Sequence, residues 1–117
     1  SQSALWHSVA GAIYLEKSLS VDDPDIIAAV RYHTSGRENM TLLEKVVFVA
    51  DFISADRTYP GVEEMRELAR QSLDKTIEEG LNFTIRELCD RRQPIYIDTI
   101  QAYNCAVLAR KQTEEVL

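Results

Sequence analysis

The sequence predicts an all-α helical bundle of about six helices. Three observations predict it. No alternation of apolar and polar residues runs far enough for a strand, and no internal repeat is visible. Helix-start patterns recur, at Asp22-Asp23-Pro24-Asp25 and at Thr41-Leu42-Leu43-Glu44. The composition is that of a packed chain, 45% apolar with four Gly and three Pro in 117 residues. That length allows one domain with a real core, residues 1–117, and is too short for two comfortable ones.

The elements follow in order. Ser3 is positioned to cap a first helix running to about Leu19. In the second, an Asp cap and a Pro in the first turn lead into Ile26 to about Tyr32, and Ser35-Gly36 lies beyond its end. Thr41 with Glu44 three residues on is a capping box opening a third helix to about Ala55. Asp56 to Gly61 is a loop, and Val62 to Arg70 is helical. Ser72 caps Leu73 to about Arg91, with Gly80 a weak point inside. Gln93-Pro94 breaks the chain before a last helix, capped by Asp98, through Glu115. The charged stretch Arg110 to Glu115 reads as a solvated helix face.

Charge and cysteine usage exclude several classes. A net charge of −6 argues against a nucleic-acid polymer or an anionic membrane as partner. It leaves room for a small phosphorylated ligand held by a metal and local cations. No apolar stretch approaches the roughly 18 residues of a membrane span, and the basic-then-apolar pattern of a signal peptide is missing. Cys89 and Cys105 form neither a disulfide framework nor a CxxC site. They read as reduced thiols of a cytoplasmic protein, each serving as a small core hydrophobe.

Three residues suggest chemistry. His7 and His33 are the two histidines of the chain, and Asp51 interrupts the apolar run Val46 to Ile53. Imidazole and carboxylate are ordinary ligands of zinc, iron or manganese. Helix rise puts His7 roughly 18 Å from Leu19, and His33 roughly 14 Å from Pro24. An antiparallel hairpin through the short Ser20–Asp23 turn returns both histidines to one end. Spacing does not bring in Asp51, because the Thr34–Met40 loop allows several placements of the third helix. That helix is apolar nearly all round, which is the pattern of a buried one. A buried carboxylate with no cation on its own helix needs a metal, or an Arg or Lys from elsewhere. Both readings stay open, as does a purely structural role for His7.

Thr34, Ser35, Gly36 and Arg37 offer hydroxyls, free N–H groups and a guanidinium at one helix end, the groups a phosphate wants. Arg57 lies in a second polar loop, where a solvent-exposed role is the plainer reading. Lys45, on the apolar helix, calls for a partner.

Taken together, His7-Ser8-Val9-Ala10-Gly11, Ala29-Val30-Arg31-Tyr32-His33-Thr34-Ser35-Gly36-Arg37, Met40-Thr41-Leu42-Leu43-Glu44-Lys45, Val49-Ala50-Asp51 and Pro60-Gly61-Val62-Glu63-Glu64 resemble the YqeK-type HD-domain family. Its members are bacterial symmetrical diadenosine-tetraphosphate hydrolases. The resemblance runs from about residue 4 to Asn104. It implies an HD-type helical bundle and a two-metal site, iron in the first instance, with manganese or another divalent ion as alternatives. His7, His33 and Asp51 match metal ligands of the family, Asp51 being the catalytic carboxylate. Thr34, Gly36, Arg37, Lys45 and Arg57 lie in matching segments and are the implied substrate contacts. The implied reaction hydrolyses diadenosine tetraphosphate to two adenosine diphosphates, the metals generating hydroxide and stabilising charge at phosphorus.

The match departs from the family in one respect. Its first histidine and its His-Asp pair have no counterpart here, so the chain reads as the C-terminal two-thirds of such a protein. It is a partial HD-type domain without its N-terminal helices, expected to be inactive alone. An exposed apolar surface is then expected, covered by that segment or by a second copy. The alternative is a non-catalytic helical interaction module with structural His and Asp.

Overall fold

The computed structural model describes the backbone of residues 2–116 and the side chains of residues 8–14 and 16–114. Six helices follow one another: α1 (Gln2–Lys17), α2 (Pro24–Tyr32), α3 (Leu42–Ile53), α4 (Val62–Gln71), α5 (Leu73–Asp90) and α6 (Ile97–Val116). Among the described residues there is no strand, and no helix is long and apolar enough to cross a membrane. The all-α bundle expected from the sequence is the one observed.

The start signals work largely as their chemistry requires. The Asp23 carboxylate accepts from the Asp25 N–H at 2.9 Å, ahead of Pro24. Thr41 Oγ1 accepts from the Glu44 N–H at 3.2 Å, and Ser72 Oγ accepts from the Lys75 N–H at 3.1 Å. Two ends differ from expectation. Ser3 lies inside α1, its side chain outside the described residues. Asp98 sits in the first turn of α6, not at its cap, because the Tyr96 carbonyl already accepts the Thr99 and Ile100 N–H groups.

Helices pack in sequence, α1 on α2, α2 on α3, and α3 on α5, with α4 and α6 flanking α5. Phe48 and Val49 of α3, Ile77 and Leu81 of α5 and Ala102 of α6 form the buried centre. Gly36 admits the loop after α2 into this core. Its φ is +72°, and a Cβ there would lie 3.2 Å from that of Ala102. Gly80, expected to weaken α5, is buried against the Phe52 ring, and the helix runs through it unbroken.

The expectation that α3 is buried all round is corrected. Leu42 is 71% and Val46 47% exposed, and Leu43 and Ala50 are also exposed. Ile13, Tyr14 and Leu19 of the first hairpin are more than half exposed as well. The apolar pattern of α3 is real, but among the described residues nothing covers Leu42 or Val46 on its second face. Cys89 is exposed and Cys105 partly buried, both as free thiols, so the core role expected of Cys89 does not hold.

Candidate metal centre

The α1–α2 hairpin closes antiparallel. Ser8 Oγ lies 3.0 Å from Thr34 Oγ1 and 3.3 Å from His33 Nδ1. Further along, Gly11 lets α1 approach closely, since a Cβ there would stand 3.2 Å from Val30 Cγ1. The backbone at position 7 therefore lies level with the His33 end of α2. The side chain of His7 is outside the described residues.

His33 caps the C-terminus of α2 and is about half-buried. Its Nδ1 stands 2.6 Å from the Val30 carbonyl. A carbonyl can only accept, so Nδ1 carries the hydrogen. In the neutral ring Nε2 is then left with its lone pair. A histidine whose inner nitrogen donates to a backbone carbonyl is oriented as metal-ligating histidines usually are.

The start of the third helix is tied to that of the second. Thr41 Oγ1 donates to Asp25 Oδ1 at 2.7 Å, pinning the starts of α2 and α3 together. From those starts His33 is about 12 Å along one helix and Asp51 about 15 Å along the other. The loop beyond His33 packs on α3 one turn before Asp51, at Phe48. The loop geometry that spacing left open is thus fixed by a side-chain bond and a glycine.

Asp51 itself is not buried. Its side chain is 42% exposed, and Oδ2 lies 3.3 Å from Arg57 Nη2. Arg57 Nε also donates to the Asp51 carbonyl at 3.1 Å. The premise of a buried carboxylate without a partner is corrected: the partner is Arg57, from the loop that follows. Arg66, which the sequence reading passed over, holds that corner. Its guanidinium donates to the carbonyls of Ile53, Ser54 and Arg57 at 3.1, 2.8 and 3.0 Å. These are carbonyls of a helix end and the loop beyond it, where a cation is favoured, and the Ser54 carbonyl also accepts the Arg57 N–H at 2.9 Å. Among the described residues no three of His, Cys, Asp and Glu cluster closely enough to hold a metal by themselves.

The expected phosphate contacts do not share one cleft. Thr34 lines a cleft of about 400 Å³ with Ser35, Arg91 and Tyr96. Arg37 and Lys45 border another, of about 680 Å³, between α5 and α6. Arg57 is beside Asp51, and Gly36 is buried in packing. Lys45 finds its partner in Asp74 at 2.9 Å. Arg37 gives Nε to Glu44 Oε2 at 2.8 Å and Nη2 to Oε1 at 2.5 Å, and lies 4.5 Å over the Tyr32 ring. Glu44 is 1% exposed, and its hydrogen bonds raise the Arg37 guanidinium above its ordinary range. Glu44 was legible only as half of a capping box. A pair seven residues apart across a loop has no spacing rule to reveal it.

No family model matches the chain. It is 45% identical, over 103 residues and 88% of its length, to a Bacillus subtilis protein named symmetrical bis(5'-nucleosyl)-tetraphosphatase. A protein of the same name from Halalkalibacterium halodurans is 43% identical over 107 residues. The crystal structure of a predicted HD superfamily hydrolase involved in NAD metabolism, from Clostridium acetobutylicum, superposes with a TM-score of 0.85 at 36% identity. It is matched over 88% of this chain and 55% of that one. Over the matched stretch the chain is similar to symmetrical bis(5'-nucleosyl)-tetraphosphatases and to an HD superfamily hydrolase. It spans 55% and 57% of the lengths of the two named relatives. The HD-type bundle is accordingly the fold of α1 to α6, and the His33 corner lies within the matched family fold.

Proposed function

We propose that this chain provides the His7, His33 and Asp51 side of a metal-dependent phosphohydrolase site that cuts diadenosine tetraphosphate symmetrically into two adenosine diphosphates. The observation that carries the reading is His33, with Nδ1–H spent on the Val30 carbonyl and the Nε2 lone pair left for a ligand at the end of α2. The names of the relatives support the substrate.

The donor set fits divalent iron or manganese, a borderline nitrogen with a hard carboxylate oxygen. Two such ions, when bound, would supply an activated water and a counter-charge for the attacked phosphorus. The chain's own residues do the rest. Asp51 offers one oxygen to Arg57 and retains a second. Arg57, half-exposed beside it, is positioned to meet a phosphate, since a guanidinium matches phosphate oxygens bidentately. Thr34 offers a hydroxyl beside the imidazole, and Gly36 lets the loop tuck under it. Lys45 and Arg37 lie further off. They contribute to substrate binding only if their acidic partners release them, and for Arg37 that means opening a buried pair.

Asp51→Asn tests the reading. It keeps shape while removing the anionic ligand, so bound iron or manganese and hydrolysis should fall together. Elemental analysis beside steady-state rates measures both. Full metal content with a full rate would make Asp51 merely the partner of Arg57.

A further inference from the structure

We infer that the 400 Å³ cleft beside His33 is the seat of a nucleoside, with the ring of Tyr96 as its stacking face. The choice of ligand rests on the dinucleotide reading; the choice of place does not.

Position comes first. The cleft is walled by the end of α5, the Gln93-Pro94 turn and the start of α6, and Thr34 forms its edge toward the histidine. Thr34 directly follows His33, and its hydroxyl is tied to the same Ser8 Oγ that touches the imidazole. A ligand in this cleft therefore stands one residue from the candidate metal ligand. The floor is fixed, because Thr99 Oγ1 donates to the buried Ser35 carbonyl at 2.8 Å and locks α6 to the His33 loop. A seat of this kind is formed before the ligand arrives.

Charge and surface decide what fits. The charged lining residues are Arg91 and Glu87, which pair with each other at 3.0 Å. Their charges cancel, so the cleft does not suit a polyphosphate. Leu88, Pro94 and Tyr96 supply apolar and aromatic wall, while Gln93 supplies both donor and acceptor. A nucleobase presents that combination, two flat faces and a hydrogen-bonding edge. The larger cleft between α5 and α6 has no aromatic lining residue and is crossed by ion pairs, so it lacks the stacking face. A base seated against Tyr96 would leave its phosphates to run past Thr34 toward the His33 and Asp51 end.

The test is a titration of the isotope-labelled chain with adenosine, followed through backbone amide signals. Signals of Thr34, Leu88 and Tyr96 should move together. Tyr96→Ala should weaken adenosine binding roughly five- to a hundredfold, the range of one lost base–aromatic stack, while Tyr96→Phe stays within about twofold. Inorganic triphosphate should leave the Tyr96 amide unmoved. Adenosine perturbing other residues, or binding Tyr96→Ala as tightly as the parent while both spectra stay folded, would overturn the inference. Its failure is separable from that of the hydrolase reading. Adenosine bound at Tyr96 by a protein that never cleaves the dinucleotide keeps the seat and removes the hydrolase. Cleavage with an unchanged KM in Tyr96→Ala does the reverse.

Discussion

Gly36 and Arg37, side by side in the loop after α2, show how single residues hold the candidate site. At Gly36 a positive φ coincides with a close approach to Ala102, so Gly36→Ala adds backbone strain and overpacking at once. A loss on the order of 2 kcal/mol is expected, read as a lower urea midpoint with unchanged slope. For Arg37→Ala the structure predicts a stability defect, because Glu44 stays buried without its partner. The expected cost is on the order of 3 kcal/mol, somewhat discounted because Arg37 is itself one-third exposed. Arg37→Met with Glu44→Leu should recover much of that loss, since an apolar pair can replace a buried ion pair. If Arg37→Ala instead melted like the parent and lost only substrate affinity, phosphate contact would be its main task. His33 was legible from its helix-end position and polar loop. The Arg37–Glu44 pair was not, because it depends on how the loop folds back across the bundle. Asp51 was singled out for the wrong physical reason: the expected burial of α3 assumed neighbours that the described residues do not supply.

At the level of elements, the capping chemistry located α2, α3 and α5 well. Asp23, Thr41 and Ser72 each accept from the N–H their motif specifies, a local event that sequence encodes. The mutual arrangement of α2 and α3 was beyond reach, since it hangs on Thr41 bonding Asp25 and on Gly36 entering the core. Gly80 gives a prediction at this scale. Its nearest neighbours are Phe52 ring atoms at 3.5 Å, ordinary contact distance, so a methyl group fits. Gly80→Ala should stabilise α5 by up to about 1 kcal/mol through helix propensity, raising the urea midpoint. A lowered midpoint would mean that Phe52 cannot yield there. Tyr59, Phe52 and Phe83 form an aromatic cluster with the Tyr59 hydroxyl donating to the Phe52 carbonyl at 2.8 Å. Together with Arg66 it fixes the corner between α3 and α4 on which Asp51 and Arg57 sit.

Across the whole molecule, the α1–α2 hairpin sets position 7 level with His33 and the Thr41–Asp25 bond ties the starts of α2 and α3, while among the described residues Ile13 and Tyr14 of α1 and Leu42 and Val46 of α3 stay exposed. The fold class was legible because periodicity and caps are local properties. The site was legible in part, because resemblance supplied the residues but not the clefts they line. The relatives extend well beyond the matched stretch, so the activity is best tested with that length supplied. The direct measurement joins this chain to the part of the Bacillus subtilis relative outside the matched stretch, adds diadenosine tetraphosphate with iron or manganese, and separates the products. Adenosine diphosphate is expected as the sole nucleotide product, lost on His33→Ala and on Asp51→Asn. Adenosine mono- and triphosphate in its place, or a rate indifferent to both substitutions, would contradict that expectation.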